Sequence, residues 1–155
     1  MIKLWNVSTW TCEVTVHNSV LTEGVTHAPD AEEEAPEGDE AGQRVGVLTL
    51  EMDGDKLVSG GDDSIVRVWN TTDWSCICLP SAHQGEIWSL LFLSDGALVT
   101  SSVNGSIRLW REKEAVNGDG NSGNTSSTWE CESQADAGGS IYALTTLDGR
   151  VVSAG

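Results

Sequence analysis

The sequence predicts an all-β protein assembled from a repeated four-stranded antiparallel unit, and three observations carry that prediction. A nine-residue phrase occurs twice, LWNVSTWTC at 4–12 and VWNTTDWSC at 68–76, with two tryptophans in each copy. Three Asp-Gly steps, at 53–54, 95–96 and 148–149, each follow an apolar or alternating run. Trp5, Trp69 and Trp110 each close a short alternating run: IKLW, IVRVW and SIRLW. Self-similarity at a long period marks a repeat architecture. Alternation punctuated by Asp-Gly marks strands joined in hairpins.

The units follow in chain order. Residues 1–16 read as the end of a first unit, with a strand closing at Trp5, a turn, and a strand beginning near Cys12. Residues 45–80 read as a second, complete unit. There VGVLTLEMDG (45–54) supplies a strand and its hairpin, KLVSGG (56–61) the next strand, then a strand closing at Trp69 and one opening near Cys76. Residues 81–133 repeat this with IWSLLFLSDG (87–96), ALVTSS (97–102), Trp110 and Cys131. Residues 134–155 begin a further unit with IYALTTLDG (141–149) and RVVSAG.

Two inserts interrupt the register. Cys76 to Ile87 is 11 residues and Cys131 to Ile141 is 10, but Cys12 to Val45 is 33. The surplus, within 17–44, includes PDAEEEAPEGDE, whose seven carboxylates between Asp30 and Glu40 meet no basic residue. Such a run repels itself and has little to bury, so a disordered loop is expected. The paired tryptophans lie five apart in two copies but 19 apart between Trp110 and Trp129. A Gly/Asn/Ser-rich stretch at 112–127 accounts for the difference and reads as a flexible loop.

On these residues the chain resembles the WD-repeat β-propeller family, whose units of about 40 residues hold four strands and a tryptophan closing the third. The likeness is strongest in AHQGEIWSLLFLSDGALVTSSVNGSIRLW (82–110) and in LVSGGDDSIVRVWN (57–70). His83 stands where the family's Gly-His falls, and Trp110 where Trp-Asp falls. The resemblance implies a blade tie through His83, Thr100, Asn104 and Trp110, with Asn104 an amide in place of a carboxylate and its bond to histidine correspondingly weaker. The preceding copy offers Ser59, Asp63 and Trp69 but no histidine, and the first retains Trp5. Asn6, Asn70 and Arg111 replace the Asp of Trp-Asp, so the blades are divergent. The resemblance makes the third-strand tryptophans plates half-buried between blades. The second tryptophan of each phrase, at Trp10, Trp74 and Trp129, is expected to open the outer strand.

The fold class is therefore all-β, about three propeller blades, with the ring not closed by this chain alone. Propellers use roughly four to eight blades. The chain begins within a third strand and stops past a second, nearly three units in circular phase. Two expectations stay open: a segment of a larger propeller, or self-association through unpaired strand edges.

Charge and motifs bound the function. Eight basic residues against 24 acidic ones give a net charge of −16, which argues against nucleic acid and anionic membrane. No apolar run approaches the roughly 18 residues of a membrane span, and the N-terminus lacks a signal-peptide core. A cytoplasmic or nuclear location is the default expectation. Cys12, Cys76 and Cys131 repeat a blade apart, too far to share a metal, and Cys76-x-Cys78 is half a zinc site. His17, His27 and His83 pair with no nucleophile by spacing. No catalytic constellation, metal or cofactor is expected. What the resemblance implies is a protein-interaction scaffold. The acidic residues Glu32, Glu33, Glu34, Glu37, Asp39 and Glu40 would suit a basic peptide. The alternative is a regulatory or substrate-recruiting segment of a larger enzyme, such as a ubiquitin ligase subunit, with its catalytic domain elsewhere.

Overall fold

Twelve strands follow one another in a computed structural model that describes residues 1–16, 46–79, 81–114 and 127–155. They are β1 (Ile2–Asn6), β2 (Thr11–Val16), β3 (Val47–Asp53), β4 (Lys56–Gly61), β5 (Val66–Asn70) and β6 (Cys76–Cys78). The second half holds β7 (Ile87–Phe92), β8 (Leu98–Ser102), β9 (Ser106–Glu114), β10 (Ser127–Asp136), β11 (Ala143–Leu147) and β12 (Arg150–Ala154). Among the described residues there is no helix. Two four-stranded sheets, β3-β4-β5-β6 and β7-β8-β9-β10, are antiparallel meanders in chain order. The hairpins β1-β2 and β11-β12 form two-stranded sheets on either side of them in sequence. This is the unclosed, blade-like architecture the repeat predicts.

The three Asp-Gly steps make three different turns. In β3-β4, Asp53 pairs with Lys56 and only Gly54 leads the two-residue loop, with φ of 58°. In β11-β12 both Asp148 and Gly149 are left-handed, at 48° and 72°. Between β7 and β8 the loop is longer, and Gly96 donates its N–H back to Leu93 O at 2.9 Å. Glycine, which has no Cβ to clash at positive φ, makes all three cheap.

The core lies between the two larger sheets. Val58, Val66 and Val68 from β4 and β5 meet Ile87, Leu90 and Leu98 from β7 and β8, with Trp110 and Trp129 in the same cluster. Gly60 shows how closely the sheets approach: a Cβ there would stand 2.4 Å from Ile87 Cγ2. β11 joins through Ser89 Oγ on β7, which accepts the Leu144 N–H at 3.0 Å.

Burial of the tryptophans departs from expectation. Trp69 and Trp110 are fully enclosed, at 4% and 1% exposure, whereas Trp5 is 47% exposed. Trp10 and Trp74 do not open an outer strand. Each ends the turn before it, in the left-handed region at 56° and 58°, donating its N–H to Asn6 O and Asn70 O at 2.7 Å. The asparagine side chains organise the same turns: Asn6 Oδ1 accepts from Ser8 N, and Asn70 Oδ1 from Thr72 N. The repeated phrase thus encodes a turn as well as a plate. Where that turn is interrupted, Trp129 falls inside β10, buried with its ring 6.5 Å from that of Phe92.

Boundaries also shift. β9 runs on to Glu114 and β10 starts at Ser127 and continues to Asp136, past the expected end of the unit at 133. Strand pairing therefore takes up both ends of the 112–127 insert. The rest of that insert, and the acidic insert with His17, His27 and Glu32–Glu40, lie outside the described residues.

Candidate functional site

The most organised polar group in the molecule is a chain of hydrogen bonds through the β7–β10 sheet. Trp110 Nε1 on β9 donates to Thr100 Oγ1 on β8 at 3.0 Å. Thr100 Oγ1 lies 2.7 Å from His83 Nε2, and His83 Nδ1 lies 2.6 Å from Ser106 Oγ. Ser106 Oγ in turn donates to Asn104 Oδ1 at 2.6 Å. A hydroxyl has one proton, so the ring must donate from Nδ1 to Ser106 and accept at Nε2 from Thr100. The histidine is neutral and both nitrogens are engaged. Burial, with the Arg108 guanidinium nearby, pulls its pKa down to about 4. His83 and Asn104 do not touch as the resemblance implied. Ser106, a small residue with no sequence signal of its own, stands between them.

The β3–β6 sheet keeps half of this arrangement. Trp69 Nε1 donates to buried Ser59 Oγ at 2.9 Å. Where the histidine would continue the chain, the described residues supply an ion pair instead: Arg67 Nη2 to Asp63 Oδ2 at 2.7 Å, with Arg67 only 2% exposed. Arg67 faces Ser59 across the sheet as Arg108 faces Thr100. Among the described residues Arg108 has no such carboxylate. It donates from Nη1 to Ser81 O at 2.6 Å and lies over the Trp110 ring.

A cleft of about 200 Å³ lined by Asp53, Lys56, Phe92, Asp95, Arg111 and Glu112 lies at the Asp-Gly end of the sheets. Four of its five charges are paired, Lys56 with Glu112 at 3.2 Å and Arg111 with Asp95 at 2.8 Å. Among the described residues no three metal-ligating side chains cluster.

The opposite end, where β7 and β11 begin, carries exposed aromatic surface. Trp88, 40% exposed, meets Tyr142, 52% exposed, edge-to-face with ring centroids 5.5 Å apart. Trp88 Nε1 donates to Glu86 Oε2 at 2.9 Å, which fixes the indole on the surface. Both aromatics sit one residue after a buried isoleucine, Ile87 and Ile141, at matching places in successive units.

The family model described as "WD domain, G-beta repeat" matches residues 41–70 and 74–111. Cell division control protein 4 of Saccharomyces cerevisiae is 28% identical over 74 residues, which is 47% of this chain and 10% of that protein. Periodic tryptophan protein 2 of Arabidopsis thaliana is 31% identical over 74 residues, 47% of this chain and 8% of that protein. The F-box/WD repeat-containing protein sel-10 of Caenorhabditis elegans is 39% identical over 61 residues, 39% of this chain and 10% of that protein. The chain therefore spans about a tenth of the length of the relatives it matches. Among solved structures, the computationally designed Ika8 protein superposes with a TM-score of 0.52 at 21% identity, over 72% of this chain and 31% of that one. Matched repeats, meander sheets in register and indoles anchored to Ser59 and Thr100 lead to one conclusion: residues 41–70 and 74–111 are WD repeats folded as propeller blades.

Proposed function

We propose that this chain is a protein-interaction scaffold that presents the end bearing Trp88 and Tyr142 to a protein or peptide partner. The observation that carries the reading is that aromatic pair. It is exposed, it bridges two successive units, and it is held in place by Glu86 and by the buried residues beside it. Rigid aromatic surface at low entropic cost is what binding hot spots use. Charge complements it, since a chain of net charge −16 favours a basic partner and discourages nucleic acid and anionic membrane. The run Glu32, Glu33, Glu34, Glu37, Asp39 and Glu40 would add to that attraction. An intracellular setting, cytoplasmic or nuclear, fits four cysteines that are all free thiols.

The test is capture with immobilised basic peptides at low and high salt. Trp88→Ala and Tyr142→Ala should each weaken binding about tenfold or more while leaving the fold intact. Deletion of residues 24–43 should flatten the salt dependence. Binding untouched by either aromatic change would end the reading.

A second contact mode rests on the two-stranded sheets. β12 and β1 each leave one edge unpaired among the described residues, and Ser153 aligns with Ser59 and Thr100 as Trp5 aligns with Trp69 and Trp110. Pairing of β12 from one copy with β1 of another would complete a four-stranded blade. Sedimentation across a concentration series checks this, a monomer throughout counting against it. Recruitment within a larger enzyme such as a ubiquitin ligase remains the alternative scaffold role, and the F-box named in one relative favours it.

A further inference from the structure

We propose that Cys76 and Cys78 form a reversible redox site, oxidised by hydroperoxides to a disulfide on the outer edge of the β3–β6 sheet. The two cysteines occupy alternate positions of the edge strand β6, so both thiols leave the same face of the sheet. Cys78 is exposed and Cys76 is partly so. Cys78 lies directly across from Arg67 and Cys76 across from Trp69. The site therefore has a nucleophile in reach of solvent, a cation beside it and a second thiol within one strand repeat.

The molecule contains its own comparators. Cys12 pairs with Trp5 and Cys131 with Trp110, as Cys76 pairs with Trp69. Two residues on, however, stand Val14 and Ser133, where the middle unit has Cys78. The Cys12 and Cys131 thiols instead donate to backbone carbonyls, Val14 O at 3.4 Å and Ser133 O at 3.5 Å. In the pair, the interaction between the two thiols raises the Cys76 pKa and lowers that of Cys78 to about 6. Burial opposes the drop at Cys78, Arg67 assists it, and Asp63 works against it.

The chemistry balances with a peroxide as oxidant. The Cys78 thiolate attacks one oxygen of the peroxide, an S–O bond forms as the O–O bond breaks, and the other oxygen leaves as hydroxide (or alkoxide). Sulfur loses two electrons and the peroxide gains them, leaving Cys78 as a sulfenic acid. Cys76 sulfur then attacks Cys78 sulfur, displacing hydroxide, which takes the Cys76 proton and leaves as water. Two thiols and one peroxide give one disulfide and, with hydrogen peroxide, two waters. Two residues of extended strand span about 6.6 Å. That is near the upper limit of roughly 6.8 Å for bridged Cα atoms, and the parallel Cβ atoms stand about as far apart, beyond the roughly 3.5–4.5 Å of a disulfide, so bridging requires β6 to bend. A three-residue edge strand, paired on one side only, can adjust to close the gap. The resulting bond is strained and therefore easily reduced, as a reversible site requires.

The full chain itself carries the test, because all four cysteines compete in one tube. It is treated with hydrogen peroxide at pH 6, alkylated, digested and read by mass spectrometry. Against an unperturbed thiol, the larger thiolate fraction at Cys78, less the lower nucleophilicity of a weaker base, predicts about tenfold faster oxidation. The expected product is a Cys76–Cys78 disulfide that dithiothreitol reverses. Cys76→Ser should instead accumulate a sulfenic acid at Cys78, trapped by dimedone, and Cys78→Ser should leave Cys76 unlabelled over the same period. Oxidation of Cys12 or Cys131 as fast as Cys78, or sulfenic acid at Cys78 in the unaltered chain with no 76–78 bond, would overturn the proposal.

Discussion

The two four-stranded sheets are built from the same phrase yet hold their central indoles by different means. In β7–β10, Trp110 begins a relay of four hydrogen bonds through Thr100, His83 and Ser106 to Asn104. In β3–β6, Trp69 stops at Ser59, and the buried polar load passes to the Arg67–Asp63 ion pair. The difference teaches that the repeat conserves a demand, an anchored indole N–H in a dry interface, and leaves the means free. An unmet buried donor costs about 1–3 kcal/mol, so some partner must be found. A neutral histidine between two hydroxyls can give and take protons at once. An arginine cannot accept, so it needs a carboxylate.

The comparison can be broken at several points, in descending size of effect. Trp110→Ala should destabilise the protein by about 3–5 kcal/mol in chemical denaturation, because it empties the interface between the sheets. Thr100→Val keeps the shape but orphans both Trp110 Nε1 and His83 Nε2, at a cost of about 3 kcal/mol. Ser59→Ala removes a single partner, and its cost should be smaller, about 1–2 kcal/mol. Equal losses from the two hydroxyl variants would mean that the histidine relay adds nothing.

Acid separates the sheets in another way. The folded pKa of His83, about 4, lies below the 6.5 of the unfolded chain. Between those values the unfolded state binds more protons, so stability rises with pH across that window. The contribution is complete above about pH 6.5 and is lost as pH falls toward 4, amounting to about 2–3 kcal/mol between pH 7 and pH 4. His83→Gln should remove that slope from stability measured by denaturant at each pH. A slope that survives the substitution would assign it to other groups. The smallest effect belongs to Trp5→Ala, under about 1 kcal/mol, since that indole is already half in water.

Much of the fold was legible in the sequence because period and punctuation are local properties. Alternation ending at Trp69 and Trp110 marked β5 and β9, and Asp-Gly marked the hairpins before β4, β8 and β12. The repeated Asn and Trp of the nine-residue phrase also held a turn, legible in hindsight from asparagine's habit of capping its own backbone. Ser106 and the ion pair at Arg67 were not legible. A serine at a strand's start carries no pattern, and an arginine inside IVRVW reads as solvent-facing until its carboxylate is found. Trp88 and Tyr142 were hidden for the opposite reason, since apolar residues at a strand's start read as core.

By itself the sequence determined which strands the described residues form, their order, their antiparallel pairing and the places where indoles recur, because each follows from a period of two and from turns closed by neighbours in the chain. Only the tertiary structure decided which indoles are buried. Trp110 and Trp129 join the core cluster that the two larger sheets share, and Trp69 is enclosed as well, whereas Trp5 and Trp10 stand open to water. Burial belongs to a pair of surfaces, and no single strand can state what lies across from it.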